Sequence, residues 1–321
     1  MTAQSPIWWA GPICGLGNRI MALAAVRACA GDRPVRFIWS NDDSCPGDYE
    51  DVFIATDLFA PAEAAPDDAR VIQTGWEPYE IFESFKKELG LDFSRATFSA
   101  RLIAALDGSG FHEAHLGAAK SWRAAQGETP LAGIHVRRTD RTAQHRQQFR
   151  DFLMRKSGLN RELPVLLTAL YGLAPSPLLR AYENAHLTSA LRGFCTARSE
   201  CAFAVFADDE FEAQNVENAI ARSAPKALRR KGPDSEPLQH LQSLRRTSLS
   251  GAMADLLCLS KCDAIAQSNR ASTFSLVAAM IGRRPILTAK SRYPFWLKLE
   301  EDLGAAPNAL PLTRPLARLA D

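Results

Sequence analysis

The chain has 321 residues, carries 38 Lys and Arg against 36 Asp and Glu, and is 46% hydrophobic. This length and apolar content predict a globular protein of about two domains, and they exclude a disordered chain or a small disulfide scaffold. A net charge of +2 is too small to attract nucleic acid or a membrane surface by itself. No segment approaches the roughly 18 uninterrupted apolar residues of a membrane helix, and no secretory signal is recognisable. We therefore expect a cytoplasmic protein without a transmembrane segment, and its frequent Ala and Arg are typical of bacteria.

The first part of the chain predicts a strand, a glycine-rich turn, a helix and a second strand, which favours a parallel sheet covered by helices. The predicted elements are strands at 7–9, 35–39 and 71–73, and helices from Asn18, at 94–106 and at 111–126. Turn-forming residues at 127–130 then mark a domain boundary.

The second part of the chain predicts another series of alternating strands and helices. Its elements are strands at 131–136, 203–207, 263–266 and 284–287, helices at 211–221, 251–261 and 273–281, and a mobile loop at 223–237. We predict two Rossmann-like domains, residues 1–128 and 129–321, facing a central cleft. Ligands of such sheets bind at the carboxyl ends of the strands.

The sequence Gly-Ile-His-Val-Arg-Arg-Thr-Asp-Arg at 133–141 ends the first strand of the second series and delivers His135 to the strand end. Adjacent side chains on a strand point to opposite faces, so Arg137 and Arg138 should differ in role. One can bind a diphosphate as a planar fork, and the other can pair with Asp140.

Two further motifs stand between a strand and a helix. Gly15-Leu16-Gly17-Asn18 is either a tight turn or a ligand loop, and it lacks the third glycine of the dinucleotide fingerprint. Ser272 and Thr273 open a helix, where a hydroxyl can cap the helix and the N–H groups can bind phosphate.

Acidic residues in the second series have several possible roles. Asp208 and Asp209 follow a strand and can bind a metal ion, cap a helix or contact a ligand, and we favour the last two over metal. Asp255 interrupts an apolar helix and faces either solvent or a polar pocket. The seven cysteines show no zinc-binding spacing, so we expect no metal site.

The ordered set of motifs at 15–18, 135–140, 208–209, 255 and 272–273 resembles the fucosyltransferase superfamily. This superfamily comprises the α1,6-, α1,2- and protein O-fucosyltransferases and includes the rhizobial nodulation enzymes. The resemblance is most specific at 131–141 and 251–280. Arg141 and His145 depart from the Lys and Glu of the α1,6 enzymes, which weakens transfer of the acceptor linkage.

The resemblance implies an α/β fold of the GT-B type and an inverting, metal-independent transfer of fucose from GDP-fucose to a glycan or other hydroxyl acceptor. No cofactor beyond this donor substrate is implied. Arg137 at the diphosphate and Asn18 at the cleft would be the catalytic residues. The donor would be bound by His135, Arg138, Asp140, Asp208, Asp209, Asp255, Ser272 and Thr273, with His135 and Asp255 at the guanosine and the two hydroxyls at phosphate.

Three other functions remain open at this point. The first is a related transferase that uses a different nucleotide sugar, and the second is a non-catalytic protein that binds a nucleotide or a glycan. The third is nucleic-acid binding by residues 137–156, which hold seven Lys and Arg and two Asp. The absence of an aromatic stacking series there argues against nucleic acid as a partner.

Overall fold

Two parallel β-sheets organise the chain in the computed structural model, which describes residues 5–11, 14–42, 45–106, 110–136, 202–207, 214, 217–218, 228–229, 248–267, 272–288 and 313–315. The elements around the first sheet are β1 (Ile7–Ala10), α1 (Leu16–Ala30), β2 (Val35–Ile38), a 3-10 helix (Tyr49–Asp51), β3 (Phe59–Ala62), β4 (Val71–Gln73), α2 (Pro78–Leu89), α3 (Arg95–Ala105) and α4 (Glu113–Ala125). Those around the second sheet are β5 (Leu131–Val136), β6 (Ala202–Ala207), β7 (Leu228–Arg229), α5 (Leu249–Ser260), β8 (Ala264–Gln267), α6 (Thr273–Gly282), β9 (Ile286–Thr288) and β10 (Thr313–Pro315).

The first sheet has the strand order β3-β2-β1-β4, and its paired strands are parallel. Burial alternates along β1, where Ile7 and Trp9 face the core and their neighbours are half-buried, as expected of a strand with period two. The small residues of α1 let this helix pack closely on its neighbours, and nearly all of its side chains are buried. It contacts α2 and α3 on its own side of the molecule and α6 on the other.

The second sheet has the strand order β10-β9-β8-β5-β6-β7 with parallel pairing. Every residue of β5 and β6 is buried, which is typical of strands covered by helices on both faces. Taken from β7 to β10, this is the doubly wound order 3-2-1-4-5-6, in which the chain reverses direction across the sheet between β5 and β8. Ligands of such sheets bind at that reversal, outside the carboxyl ends of the strands.

Helix α4 contacts structures on both sides of the molecule. At its start, the Nε2 atoms of His112 and His115 lie 2.7 and 3.0 Å from the backbone oxygens of Glu50 and Asp51 in the 3-10 helix. Near its end, Arg123 pairs with Asp263 at 3.1 Å, next to β8. Buried apolar residues from both halves belong to one continuous cluster, while the boundary at residues 127–130 stays a prediction.

Among the described residues, the sequence predictions agree with the α/β class and with most elements, and they differ in three places. The helix predicted at 211–221 lies mostly outside the described residues. Helix α2 was not predicted, although Glu77 caps its start and Pro78 stands in its first turn. Strand β3 was also missed, because it is short and holds Pro61 on the sheet edge, where a missing N–H is tolerated. The loop predicted at 223–237 was wrong at β7, which pairs with β6.

Three properties of the described residues concern membranes, metals and thiols. None of their helices is long and apolar enough to cross a bilayer. They contain no group of three or more His, Cys, Asp and Glu side chains arranged to bind a metal ion. Cys14, Cys29, Cys45, Cys258 and Cys262 carry free thiols.

Candidate functional site

His135 lies at the strand reversal of the second sheet, one residue before the end of β5. Its side chain is buried, with 7% of its surface exposed. The imidazole Nδ1 lies 2.8 Å from the Ser275 hydroxyl and 3.1 Å from the Ser272 hydroxyl. The Phe274 ring stacks on the imidazole at a centroid distance of 4.7 Å and an interplanar angle of 22°. The imidazole is therefore held both at one nitrogen and on one face.

The start of α6 supplies all three of these contacts. Ser272 is the N-cap, and its hydroxyl accepts the backbone N–H of Ser275 at 3.3 Å. Thr273, the first helical residue, is 5% exposed. The first turn of a helix leaves backbone N–H groups without helical partners and carries the positive end of the helix dipole. This end of α6 is therefore suited to an anion such as a phosphate group.

The start of α1 packs directly against the start of α6. A Cβ atom placed on Gly17 would lie only 2.7 Å from the backbone nitrogen of Phe274 and 2.8 Å from its Cα. Gly17 is thus required for the close approach of two helices, which adds a third explanation to the tight turn and the ligand loop. The next residue, Asn18, is half-buried, and its position brings an amide side chain to the junction of the two helix N-termini.

Asp255 lies on α5 and is 5% exposed, so the solvent-facing alternative is wrong. Helix α5 packs on β5, because a Cβ atom on Gly133 would meet Leu259 Cδ1 at 2.5 Å. A helix that crosses back between parallel strands runs antiparallel to them. Asp255, one turn before Leu259, therefore lies toward the carboxyl end of β5, where His135 stands.

Asp255 stands among buried apolar residues of α5. Burial raises the pKa of the nearby Cys258 thiol to about 12, and the charge of Asp255 adds to this effect. An ionised carboxylate accepts hydrogen bonds and has no hydrogen to donate. Asp255 is therefore suited to accept hydrogen bonds from the N–H groups of a ligand.

The other predicted site residues lie outside the described residues. Arg137, Arg138 and Asp140 follow the last residue of β5, and Asp208 and Asp209 follow the last residue of β6. Their chain positions are at the carboxyl ends of two adjacent central strands. Their roles stay predictions.

A buried arginine that was not predicted as a site residue fills the corresponding end of the first sheet. Arg19 donates from Nε to the Cys14 carbonyl at 2.8 Å and also donates to the Ser40 carbonyl and the Asp42 carboxylate. Its guanidinium lies over the Trp39 ring, 4.6 Å from the centroid. Arg19 thus ties the loop after β1 to the segment after β2. The sequence signal that could have identified Arg19 as a site residue is its position at the end of the Gly15-Leu16-Gly17-Asn18-Arg19 motif.

Phe274 and Ser275 were also not predicted as site residues. Both belong to the hydroxyl-rich segment that opens α6, and Ser275 stands three residues after the N-cap. That spacing places its side chain near the side chain of Ser272, on the same face of the helix. The spacing was therefore a usable signal, but the partner that the two serines share comes from a distant strand.

No protein-family model and no curated protein matches the sequence. Solved structures with a distantly similar fold include the α1,6-fucosyltransferase NodZ soaked with GDP-fucose, at 11% identity and a TM-score of 0.47, covering 86% of this chain and 93% of that one. POFUT1 in complex with GDP is 13% identical with a TM-score of 0.45, covering 89% and 99%. The fucosyltransferase NodZ from Bradyrhizobium is 9% identical with a TM-score of 0.45, covering 86% and 93%.

Proposed function

We propose that this chain is an inverting, metal-independent glycosyltransferase of the GT-B type that moves fucose from GDP-fucose to a glycan or other hydroxyl acceptor. One observation carries the proposal. A buried histidine and the N-terminus of α6 meet at the strand reversal of a doubly wound sheet, and the N-terminus of α1 packs against them. Such a junction is suited to a nucleotide with its phosphates on helix N–H groups.

The donor site lies in the second domain of this proposal, residues 129–321. Thr273 and the first N–H groups of α6 contact the diphosphate, and Arg137 binds it as a planar guanidinium fork. Asp208, Asp209, Arg138 and Asp140 complete the donor site from the ends of β5 and β6.

Guanine selectivity is assigned to Asp255. A buried carboxylate accepts hydrogen bonds from the N1–H and the N2 amino group of guanine, whereas uracil presents a different edge. Leaving either partner of such buried hydrogen bonds unpaired is costly, so the site discriminates strongly between bases.

Catalysis in this proposal stabilises the charge that develops on the leaving diphosphate. Cleavage of the sugar–phosphate bond builds positive oxocarbenium character on fucose and negative charge on GDP. Arg137 and the fixed N–H groups of α6 stabilise that negative charge in the transition state. The acceptor hydroxyl attacks from the opposite face, which inverts the anomeric centre, and it passes its proton to a base or to the leaving phosphate.

The acceptor side of the cleft is assigned to residues 1–128. Asn18 stands at the junction of α1 and α6, where the donor sugar and the acceptor hydroxyl would meet. The acceptor is a glycan or glycoconjugate, and the enzyme works in the bacterial cytoplasm without a cofactor.

Calorimetric titration of the purified protein with GDP, with UDP as the control nucleotide and EDTA throughout, tests the donor assignment. We expect GDP to bind and UDP to bind at least tenfold more weakly. Equal binding of UDP would favour a related transferase with a different nucleotide sugar.

Turnover is tested with GDP-fucose, by following GDP release with and without a panel of glycan acceptors. We expect slow hydrolysis alone and faster release with a suitable acceptor. A protein that binds GDP selectively but never releases it from GDP-fucose would instead be a nucleotide-binding protein without transferase activity.

A further inference from the structure

Ser272 and Ser275 place two buried hydroxyl groups on a single atom, Nδ1 of His135. Ser275 is fully buried and Ser272 is 3% exposed. The two oxygens lie 2.8 and 3.1 Å from Nδ1. A neutral imidazole carries its proton on one nitrogen only, and the partner at the other nitrogen decides which one.

The capping role of Ser272 limits where its hydroxyl hydrogen can point. A hydroxyl has one hydrogen to donate and two lone pairs to accept with. The Ser272 oxygen already accepts the backbone N–H of Ser275. Within the described part of the chain, His135 Nδ1 is the acceptor in reach of the Ser272 hydrogen, and the same atom is the hydrogen-bond partner of the Ser275 hydroxyl.

Unprotonated Nδ1 has one lone pair, which the two serine hydrogens share. A proton on Nδ1 would occupy that lone pair and leave both serine hydrogens buried without this acceptor. Buried hydroxyls are almost always paired, and leaving one unpaired is unfavourable. The arrangement therefore favours a ring whose Nδ1 accepts and whose Nε2 carries the proton. The stacked Phe274 ring holds the plane in which that Nε2–H points.

We propose that Ser275, together with Ser272, is a positioning residue that keeps His135 in the Nε2–H tautomer, so that the neutral imidazole donates one hydrogen bond to an acceptor atom of the bound nucleotide. This inference rests on the proposed function, because it takes the ligand of the site to be a nucleoside diphosphate. It adds the protonation state in which His135 contacts that ligand and the residues that set it.

The tautomer is measured directly by two-bond ¹H–¹⁵N correlation spectra of protein labelled with ¹⁵N-histidine. The chain has six histidines, and the His135 signals are those missing from the His135→Gln variant. We expect an unprotonated Nδ1 and a protonated Nε2 in the ligand-free wild type. A protonated Nδ1 would overturn the proposal without any ligand being present.

The role of Ser275 is tested with Ser275→Ala, and Ser260→Ala is the matched control. Ser260 is also a buried helical serine, but its hydroxyl donates to the Leu257 carbonyl. We expect Ser275→Ala to raise the population of the Nδ1–H tautomer and to weaken GDP binding by about three- to tenfold. Ser260→Ala should change neither the His135 spectrum nor the GDP affinity.

Replacement of His135 itself separates its two nitrogens. The amide of His135→Gln places a donor near the former Nε2, whereas the amide of His135→Asn lies near the former Nδ1. We expect Gln to retain more GDP affinity than Asn. Equal loss in both variants, or a tautomer shift in Ser275→Ala with unchanged GDP affinity, would overturn the positioning role.

Failure of the proposed function gives a different result. A wild-type protein with the Nε2–H tautomer that binds no GDP would overturn the nucleotide assignment and the ligand role of His135 together. The tautomer would then stand only as a property of the ligand-free fold.

Discussion

The two sheets of this protein share a strand order but differ in what stands at their carboxyl ends. The four strands of the first sheet repeat the order of the four strands β7-β6-β5-β8 in the second. In the first sheet a buried arginine, Arg19, bonds to both strand-end segments and lies over Trp39. In the second sheet, His135 contacts the small hydroxyls of Ser272 and Ser275.

This difference shows how one topology gives two kinds of region. A long side chain with a hydrogen bond from each of its three guanidinium nitrogens makes the end of the first sheet part of the folded core. Short side chains and helix N–H groups leave the end of the second sheet suited to bind an external anion. The same topological position is therefore structural in one half and a candidate binding site in the other.

Among the substitutions that test this comparison, removal of the Arg19 side chain should have the largest effect on stability. Arg19→Ala leaves the Asp42 carboxylate and two carbonyls without their guanidinium partner, and Asp42 is 21% exposed. We expect the free energy of unfolding to fall by about 3 kcal/mol, measured by urea denaturation. Arg36→Ala is the control, since Arg36 on β2 bonds to the Val35 and Asp57 carbonyls and, among the described residues, to no carboxylate, so its loss should cost less than about 1 kcal/mol. Equal losses would show that Arg19 has no special structural role.

The contact between the two helix starts is tested with Gly17→Ala. The added methyl meets the backbone of Phe274, so α1 and α6 must separate, and we expect a cost of about 2 kcal/mol in stability together with weaker GDP binding. Gly117→Ala is the control, because Gly117 lies inside α4 with nothing near its Cβ position and alanine should stabilise the helix by up to about 1 kcal/mol. Thermal melts and GDP titration of both variants measure the difference, and a neutral Gly17→Ala would contradict the tight contact.

Base recognition by the second sheet is tested with Asp255→Asn. The amide accepts only one of the two hydrogen bonds from guanine, so we expect GDP affinity to fall about tenfold or more, which is about 1.4 kcal/mol. Inosine diphosphate lacks the N2 amino group, so the preference of the wild type for GDP over this analogue should shrink in the variant. An unchanged preference in calorimetric titration would mean that another residue recognises the base. Asp32→Asn, on an exposed loop, is the control.

Stability measured at alkaline pH compares one buried thiol from each half of the molecule. This is the smallest expected effect, because the two thiols do not change stability with pH near neutrality. Burial raises the pKa of Cys29 on α1 and of Cys258 on α5 from 9.0 to about 12. The unfolded chain loses these protons first, so their contribution to stability is complete below pH 9 and declines as pH rises toward about 12. Unfolding free energies measured across this range should fall less steeply in Cys258→Ala and in Cys29→Ala than in the wild type. If the free energy of unfolding fell with pH equally steeply in the variants and in the wild type, the raised pKa values of the two buried thiols would be contradicted.

Much of the second sheet was predictable because its strands are strongly apolar and its helices are well delimited. Residues 131–136 were predicted as a strand and form β5, and the helix predicted at 273–281 is α6 to within one residue. His135, Ser272 and Thr273 were predicted from their positions at strand and helix ends. The expectation that the ligand is GDP-fucose came from the resemblance of residues 131–141 and 251–280 to a known family.

Other features depend on tertiary contacts that periodicity does not encode. The sequence left the role of Gly17 undecided between a tight turn and a ligand loop. The contact with the neighbouring helix α6 explains why a side chain is excluded there. The sequence also did not decide whether Asp255 faces solvent or a polar pocket, because the burial of Asp255 depends on the packing of α5 on β5. The pairing of Ser275 with His135 joins residues 140 positions apart, and local sequence patterns carry no information about such a pair.

Helix α4 has a mechanical consequence for the whole molecule. Its 13 residues make a rod of about 20 Å, bonded at one end to the 3-10 helix and at the other to Asp263. Asp263 also accepts the N–H of Leu131 at the start of β5, so the far end of this rod is attached to the central strands of the second sheet. Any hinge movement between the two sheets must therefore either move α4 together with one sheet or break the contacts at one end of this helix.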